Sequence, residues 1–247
     1  MKNITKKSPF TLSKNEVTAL VPFGTTGSSL GMRLTQSNRE NTIVSSKVRS
    51  IILGSILGDG SLDKPGTNKY PLFVLVQSYN NREYAWFIYT QLNSLCQSLP
   101  GLGTSVRRGV RHYYIRVWTR SYSFLTEYYD KFYITMNNKR MKVLDIEYII
   151  LNINELSLAI WAIEDGKKVG YGFGLCTQSF QFVEVYKLVG VLHYKFNLAC
   201  SVHTLDKNKP IIYIKAESIE NFRSLVIPYF QQSIKYKLRG GRQVSLL

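Results

Sequence analysis

The feature that most constrains this chain is an apolar run of helical length that ends in an acidic residue and a glycine, because it occurs twice. The first copy is Ile51-Ile52-Leu53-Gly54-Ser55-Ile56-Leu57-Gly58-Asp59-Gly60, and the second is Leu158-Ala159-Ile160-Trp161-Ala162-Ile163-Glu164-Asp165-Gly166. Glycine suits a helix C-terminus because it accepts the left-handed backbone that other residues resist. Each copy therefore predicts a helix that stops and delivers a carboxylate at its tip. The placement has a cost, since a helix C-terminus carries partial negative charge, and a bound divalent cation is a natural compensation. One copy alone reads as a core helix with an Asp-Gly turn.

The text after each copy repeats as well. Gln77-Ser78-Tyr79 is echoed by Gln178-Ser179-Phe180, Tyr114-Ile115-Arg116 by Tyr213-Ile214-Lys215, and Ser121 by Ser218. The interval between copies falls from 106 residues at the aspartates to 101, 99 and 97 at these later points. That steady fall is expected of a tandem duplication whose second unit has shorter loops.

Each unit reads helix, two strands, helix, two strands, helix, an α+β arrangement. Residues 72–77 alternate with period two. A helix is predicted from Asn81 to about Ser98, strands at 104–110 and 112–119, and a helix from Ser121 to about Tyr133. In the strand at 112–119, Ile115 and Val117 face the core while Tyr114, Arg116, Trp118 and Arg120 face outward. In the second unit a hairpin runs through Gly170, Gly172 and Gly174, followed by a helix at about 182–196, strands at 199–205 and 211–215, and a helix capped by Ser218. The division is 1–45 as a flexible basic extension, 46–135 and 154–247 as the two repeats, and 136–153 as linker. The extension is Ser-rich and acid-poor, with a Gly-rich run at 24–31. An organellar transit peptide is the other reading of it, disfavoured by the lack of an Arg-rich amphipathic helix.

The balance of 32 Lys plus Arg against 16 Asp plus Glu gives a net charge of +16, which implies a polyanionic partner, above all nucleic acid. Three scattered cysteines, Cys96, Cys176 and Cys200, fit neither a disulfide framework nor a zinc ribbon. No apolar run approaches a membrane span. These points describe a soluble protein of a reducing compartment.

The two acidic-Gly blocks with their Gln-Ser-aromatic echoes resemble the paired LAGLIDADG motifs of single-chain homing endonucleases over residues 46 to 240. Ser157-Leu158-Ala159-Ile160-Trp161, Glu164-Asp165-Gly166 and Thr177-Gln178-Ser179-Phe180 match especially well. Glu164 departs from the small residue that many motifs carry. The resemblance implies two pseudo-symmetric αββαββα repeats whose antiparallel sheets form a DNA-binding saddle. It also implies a monomeric enzyme that cuts both strands of a long, largely asymmetric double-stranded DNA site and leaves short 3′ overhangs. Its source would be an intron of a mitochondrial or chloroplast genome. An intron RNA maturase, with intron RNA as partner, and a DNA-binding regulator are the alternatives on the same scaffold. Retention of both aspartates disfavours the former as a purely binding protein, and the lack of an appended helix-turn-helix disfavours the latter.

The chemistry follows from two carboxylates delivered side by side. Small residues, Gly54, Ser55 and Gly58 on one helix and Ala159 and Ala162 on the other, would let the motif helices pack closely. Asp59 and Asp165 would emerge together, and divalent cations would reverse their mutual repulsion. Mg²⁺ suits hard oxygen ligands and phosphate chemistry. The metal set comprises Asp59, Asp165, Gly58 and Glu164, around two or three divalent ions, with Ca²⁺ as a non-cleaving substitute. The resemblance adds a basic residue at each centre. Lys237 matches in the second half. Lys142 is its counterpart by spacing, 21 residues past Ser121 against 19 past Ser218, with Lys139 and Arg140 as alternatives. Gln77 and Gln178 join the catalytic set because they recur. For DNA contact the candidates are Arg107, Arg111, Tyr114, Arg116 and Arg120 in the first unit. In the second they are Lys167, His203, Lys207, Lys209, Tyr213 and Lys215, since β-ribbons fit the major groove.

Overall fold

The computed structural model describes residues 33–66, 68–137, 139–205 and 209–238. The chain opens with helix α1 (Gln36–Glu40), capped by the Thr35 hydroxyl. It then repeats one pattern twice. The first pass is α2 (Ser46–Leu57), β1 (Ser61–Asp63), β2 (Leu72–Ser78), α3 (Arg82–Leu92), β3 (Gly101–Arg107), β4 (Val110–Trp118) and α4 (Phe124–Phe132). A hairpin of β5 (Tyr133–Met136) and β6 (Lys139–Lys142) and helix α5 (Ile146–Asn152) follow. The second pass is α6 (Glu155–Asp165), β7 (Gly166–Val169), β8 (Gly172–Cys176), α7 (Phe182–Phe196), β9 (Cys200–Leu205), β10 (Lys209–Ile214) and α8 (Ile219–Val226). The two four-stranded antiparallel sheets have matching orders, β1-β2-β4-β3 and β7-β8-β10-β9.

The motif helices form the axis of the fold. Both runs are apolar on every side, and both are buried, α2 from Ser50 to Leu57 and α6 from Ser157 to Glu164. The Ser45 hydroxyl caps α2, and the Asn154 side chain caps α6. A Cβ on Gly54 would stand 2.5 Å from the Ser157 carbonyl oxygen, and one on Gly58 would stand 2.6 Å from Glu164 Oε2. Small residues thus permit the approach on the first helix. On the second, the atoms nearest the glycines belong to Ser157, Ile160 and Glu164 rather than to Ala159 and Ala162.

The glycines after the aspartates are required for space, not for a left-handed backbone. Gly166 has φ −85°, and the positive-φ glycines among the described residues are Gly109 and Gly170. A Cβ on Gly60 would lie 2.7 Å from Ser55 Cβ, and one on Gly166 would run into the Ala162 carbonyl and the Phe173 ring.

Three stretches differ from the sequence expectation. Residues 36–40 are helical, not loop, and they are tied down: Arg39 donates to Ser121 Oγ, and Glu40 accepts from Lys69 and Tyr70. The run at 24–31 lies outside the described residues. The linker contains the β5–β6 hairpin, which starts at Tyr133 and so straddles residue 135. The β3–β4 turn falls at Arg108-Gly109, with φ of 50° and 77°, two positive-φ residues that match a tight hairpin to the strand twist. Arg111 therefore lies within β4 rather than at a break.

Inward-facing residues fill the space between the sheets and the helices. In β2 these are Phe73, Leu75 and Gln77, and in β4 Ile115 and Val117, all at most 5% exposed. Phe173, Leu175, Ile212 and Ile214 are their counterparts in the second sheet. The opposite faces are mixed, with Val74 and Val76 beside Tyr114 and Arg116 in the first sheet and Ile211 beside Lys167 and Tyr213 in the second. Among the described residues no single helix is long and apolar enough to cross a membrane.

Candidate active site

Asp165 is the last residue of α6, and Asp59 lies in the turn two residues beyond α2. The seam brings them into one electrostatic cluster with Glu164, Lys142 and Lys237. Burial and the neighbouring Asp59 push the Asp165 carboxyl up to about 7. Burial also raises Asp59, opposed by its hydrogen bond from Gln77 and by the two lysines. Burial pulls the Lys142 ammonium down to about 8 and lowers Lys237 in the same way, with the acidic groups opposing both shifts.

Among the described residues neither lysine bonds a carboxylate. Lys142 Nζ donates to the Gly58 and Gly60 carbonyls at 3.5 and 3.3 Å, and Lys237 Nζ donates to the Ile163 and Glu164 carbonyls at 2.5 and 3.4 Å. Each ammonium thus sits on the carbonyl end of its own motif helix, where it offsets the negative pole. That is part of the compensation the sequence left to a cation. The alternatives to Lys142 are placed elsewhere. Arg140 donates to the Leu62 carbonyl and to Asp63, and Lys139 is exposed.

Gln77 faces inward from β2, where its Nε2 donates to Asp59 Oδ2 at 2.7 Å while Asn81 donates to its Oε1 at 3.1 Å. Gln178 is not its counterpart in the fold. Ser61 pairs with Val74 and Lys167 with Gly174, so counting from the two Asp-Gly ends makes Thr177 the equivalent of Gln77. Thr177 is fully buried and donates to the Pro210 carbonyl, whereas Gln178 is exposed in the following turn. A shift of one residue reverses the face. The Tyr114–Tyr213 echo is displaced too. Val74 pairs with Trp118 and Gly174 with Tyr213, so Tyr213 stands where Trp118 does.

Glu164, a metal-set residue by sequence, has a different role for its side chain. Its side chain is turned into the protein, where Oε1 accepts from Ser55 Oγ at 2.6 Å and from Tyr84 OH at 2.7 Å, and Oε2 accepts from the Asp59 backbone N–H at 2.8 Å. Burial raises it to about 7, with those donors opposing. Its carboxylate is thus taken up inside the protein, and its carbonyl, which accepts weakly from Lys237, is what it can offer a cation. The signal was present, since an acidic residue inside a buried apolar helix needs donors.

The open faces of the sheets hold most of the proposed DNA contacts. Arg107 and Arg116 lie on the outward side of the first ribbon, with the Arg116 guanidinium 5.6 Å from the Trp118 ring centre. Tyr114 covers Gly103. In the second sheet Lys167, Lys209, His203 and Tyr213 share the outward face by register, and the His203 and Tyr213 rings stack at 4.7 Å. Lys215 is exposed just past β10. Two candidates fall elsewhere. Arg111 pairs with Val106 on the opposite face of the ribbon from Arg116. Arg120 is only 5% exposed, because β4 ends at Trp118 and the chain turns inward, and its Nη1 donates to the Cys96 carbonyl at 2.7 Å. Lys207 lies outside the described residues.

A family model described as the LAGLIDADG DNA endonuclease family matches residues 49–222. The chain is 34% identical over 206 residues to "Probable intron-encoded endonuclease 1" of Wickerhamomyces canadensis, covering 80% of this chain and 86% of that protein. It is 31% identical over 198 residues to "Cytochrome b mRNA maturase bI2" of Saccharomyces cerevisiae, covering 77% of this chain but 47% of the maturase, so it spans about half the length of that relative. Among solved structures, the homing endonuclease I-WcaI bound to its DNA recognition sequence superposes with a TM-score of 0.73 at 32% identity, over 81% of this chain and 89% of that one.

Proposed function

Since the chain belongs to the LAGLIDADG DNA endonuclease family, we propose that it is a site-specific homing endonuclease. It hydrolyses one phosphodiester in each strand of a long, largely asymmetric DNA site, leaves short 3′ overhangs, and derives from an organellar intron. The observation that carries this reading is the convergence of Asp59 and Asp165 on one seam, each beside a lysine whose pKa burial depresses.

The donor set fits a divalent cation. Among the described residues no hydrogen bond reaches the Asp165 carboxylate, and Gln77 alone bonds that of Asp59, so hard oxygens remain free in a cluster where burial and proximity penalise their charge. Asp59 and Asp165, with the Gly58 and Glu164 carbonyls, would hold Mg²⁺ and leave positions for water and phosphate. When bound, the cation supplies an acidified water and charge stabilisation at the phosphate oxygens.

The chain's own residues do the rest. Gln77 fixes the rotamer of Asp59. Lys142, whose pKa burial lowers to about 8, can relay a proton or neutralise charge developing on phosphate, and Lys237 occupies the matching place. Arg107, Arg116, Lys167, His203, Lys209, Tyr213 and Lys215 face the duplex from two β-ribbons, with base edges read in the major groove.

The test is incubation with a library of intron-insertion sequences in Mg²⁺, followed by sequencing of the cut ends. Asp59→Asn and Asp165→Asn should each abolish double-strand cleavage and keep site binding in Ca²⁺. Loss of affinity in proportion to loss of cutting would make them structural residues. An RNA maturase is the second reading, favoured by the similarity to the yeast maturase. Splicing of the host intron in the presence of the protein, with no cutting of any library member, would replace the first reading by the second.

A further inference from the structure

We propose that Glu164 is a positioning residue that holds Asp59 across the seam, so that the two catalytic carboxylates are held unequally. The inference rests on the endonuclease reading for its functional consequence and on geometry for its substance. Three donors from three places in the first repeat converge on this one side chain from the second. They are the Ser55 hydroxyl of α2, the Asp59 backbone N–H beyond it, and the Tyr84 hydroxyl of α3, at 2.6, 2.8 and 2.7 Å. All are short, and Ser55 and Tyr84 are at most 1% exposed.

The space for this strap is made by one residue. Gly58 occupies the place in the first motif that Glu164 occupies in the second, and a Cβ there would stand 2.6 Å from Glu164 Oε2 and 2.8 Å from Glu164 Cβ. The exchange of Gly58 for Glu164 makes the arrangement one-sided. Gly58 has no side chain to return the bond, and no hydrogen bond reaches the Asp165 side chain among the described residues.

Asp59 is therefore fixed twice, through its N–H by Glu164 and through its carboxylate by Gln77. The Asp165 main chain is held by α6, whose last residue it is, but no side chain bonds its carboxylate among the described residues, because the second sheet carries Thr177 where the first has Gln77. Catalytic groups held to within about half an ångström react far faster than loosely held ones. The strand served by the Asp59 centre thus meets a carboxylate preset by side chains from both repeats, and the other meets one whose rotamer is set by its ligands.

Glu164→Met and Glu164→Gln separate positioning from charge. Gln keeps an acceptor for the Asp59 N–H and can donate its amide to the Ser55 and Tyr84 hydroxyls, whereas Met fills the space with no acceptor. In single-turnover cleavage resolved by strand, Glu164→Met should slow one strand at least tenfold and the other less than threefold, with affinity in Ca²⁺ within threefold. Glu164→Gln should restore most of the slowed rate. Amide hydrogen exchange at Asp59 gives a readout independent of activity: its protection should fall at least tenfold in Glu164→Met and be kept in Glu164→Gln. Equal slowing of both strands, a Gln variant as slow as Met, or unchanged Asp59 protection in Met would overturn the proposal. Absence of cleavage by the parent protein would overturn the endonuclease reading while the exchange result still decided the strap.

Discussion

Replacing Gly54 with alanine asks whether the contact between α2 and α6 sets the catalytic geometry. The added Cβ would stand 2.5 Å from the Ser157 carbonyl oxygen and 2.8 Å from Ile160 Cβ, where ordinary contact is about 3.5–4 Å. Neither neighbour can swing aside, since one is backbone and the other is fixed to it, so the helices must part by roughly 1 Å. Overpacking of this kind costs about 1–3 kcal/mol, against about 1 kcal/mol gained when alanine replaces glycine in a helix. The net loss of up to about 2 kcal/mol corresponds to a Tm lower by up to roughly 8 °C for a chain of this size. Because Asp59 and Asp165 ride on those helices, a shift of this size should slow cleavage on the order of 100-fold. Gly190 is the control. It lies inside α7, a Cβ there meets nothing within 4 Å, and Gly190→Ala should raise stability by about 0.4–1 kcal/mol without changing cleavage. Thermal melts and single-turnover assays on both variants decide the matter. If Gly54→Ala melts as high as Gly190→Ala and cuts at the parent rate, the seam does not set the geometry.

Three further outcomes are expected. Lys142→Met should slow single-turnover cleavage at least tenfold, about 1.4 kcal/mol of barrier, whereas Arg140→Ala, which breaks a half-exposed pair with Asp63, should change it less than twofold; the reverse pattern would move the role of the basic residue to Arg140. Arg120→Ala should lower stability by about 1–3 kcal/mol, for the Cys96 carbonyl left without its donor, and leave DNA discrimination unchanged, while Arg116→Ala should do the opposite in denaturant melts and in binding titrations against target and scrambled duplexes. The raised Asp165 pKa of about 7 contributes stability that is complete below the unfolded value and lost as pH rises through the folded one. The metal-free protein should accordingly weaken between about pH 4 and 7, with Glu164 acting in the same sense and Lys142 acting only above its own pKa of about 8. The Tm gain on adding Ca²⁺ should then grow from pH 6 to 8 as the carboxyls shed protons, and a gain equal at both pH values would contradict the assignment.

The duplication was legible in the sequence because its signals are local. A continuous apolar run with an acidic-Gly end and the alternation at Ile115 and Val117 each depend on residues a few positions apart. These suffice for the element order of both repeats and for the two aspartates. The interval from Ser121 to Lys142 is a looser guide, since after the shared helix, α4 or α8, a β-hairpin carries Lys142 while a 3₁₀ segment carries Lys237.

Register and cross-seam contacts belong to the tertiary structure. The Gln-Ser-aromatic echo placed Gln178 with Gln77, yet strand pairing makes Thr177 the equivalent, one residue away and on the other face. Arg120 follows the outward alternation of β4 in sequence, but the strand ends two residues earlier and the side chain folds under it. The choice of Ser157, Ile160 and Glu164 to meet the glycines depends on how α6 is rotated about its own axis. A helix apolar on all sides carries no pattern that fixes that rotation. Where hydrophobic periodicity is present the sequence speaks for itself. Where it is saturated, as in the two motif helices, packing and buried hydrogen bonds decide which side chains meet.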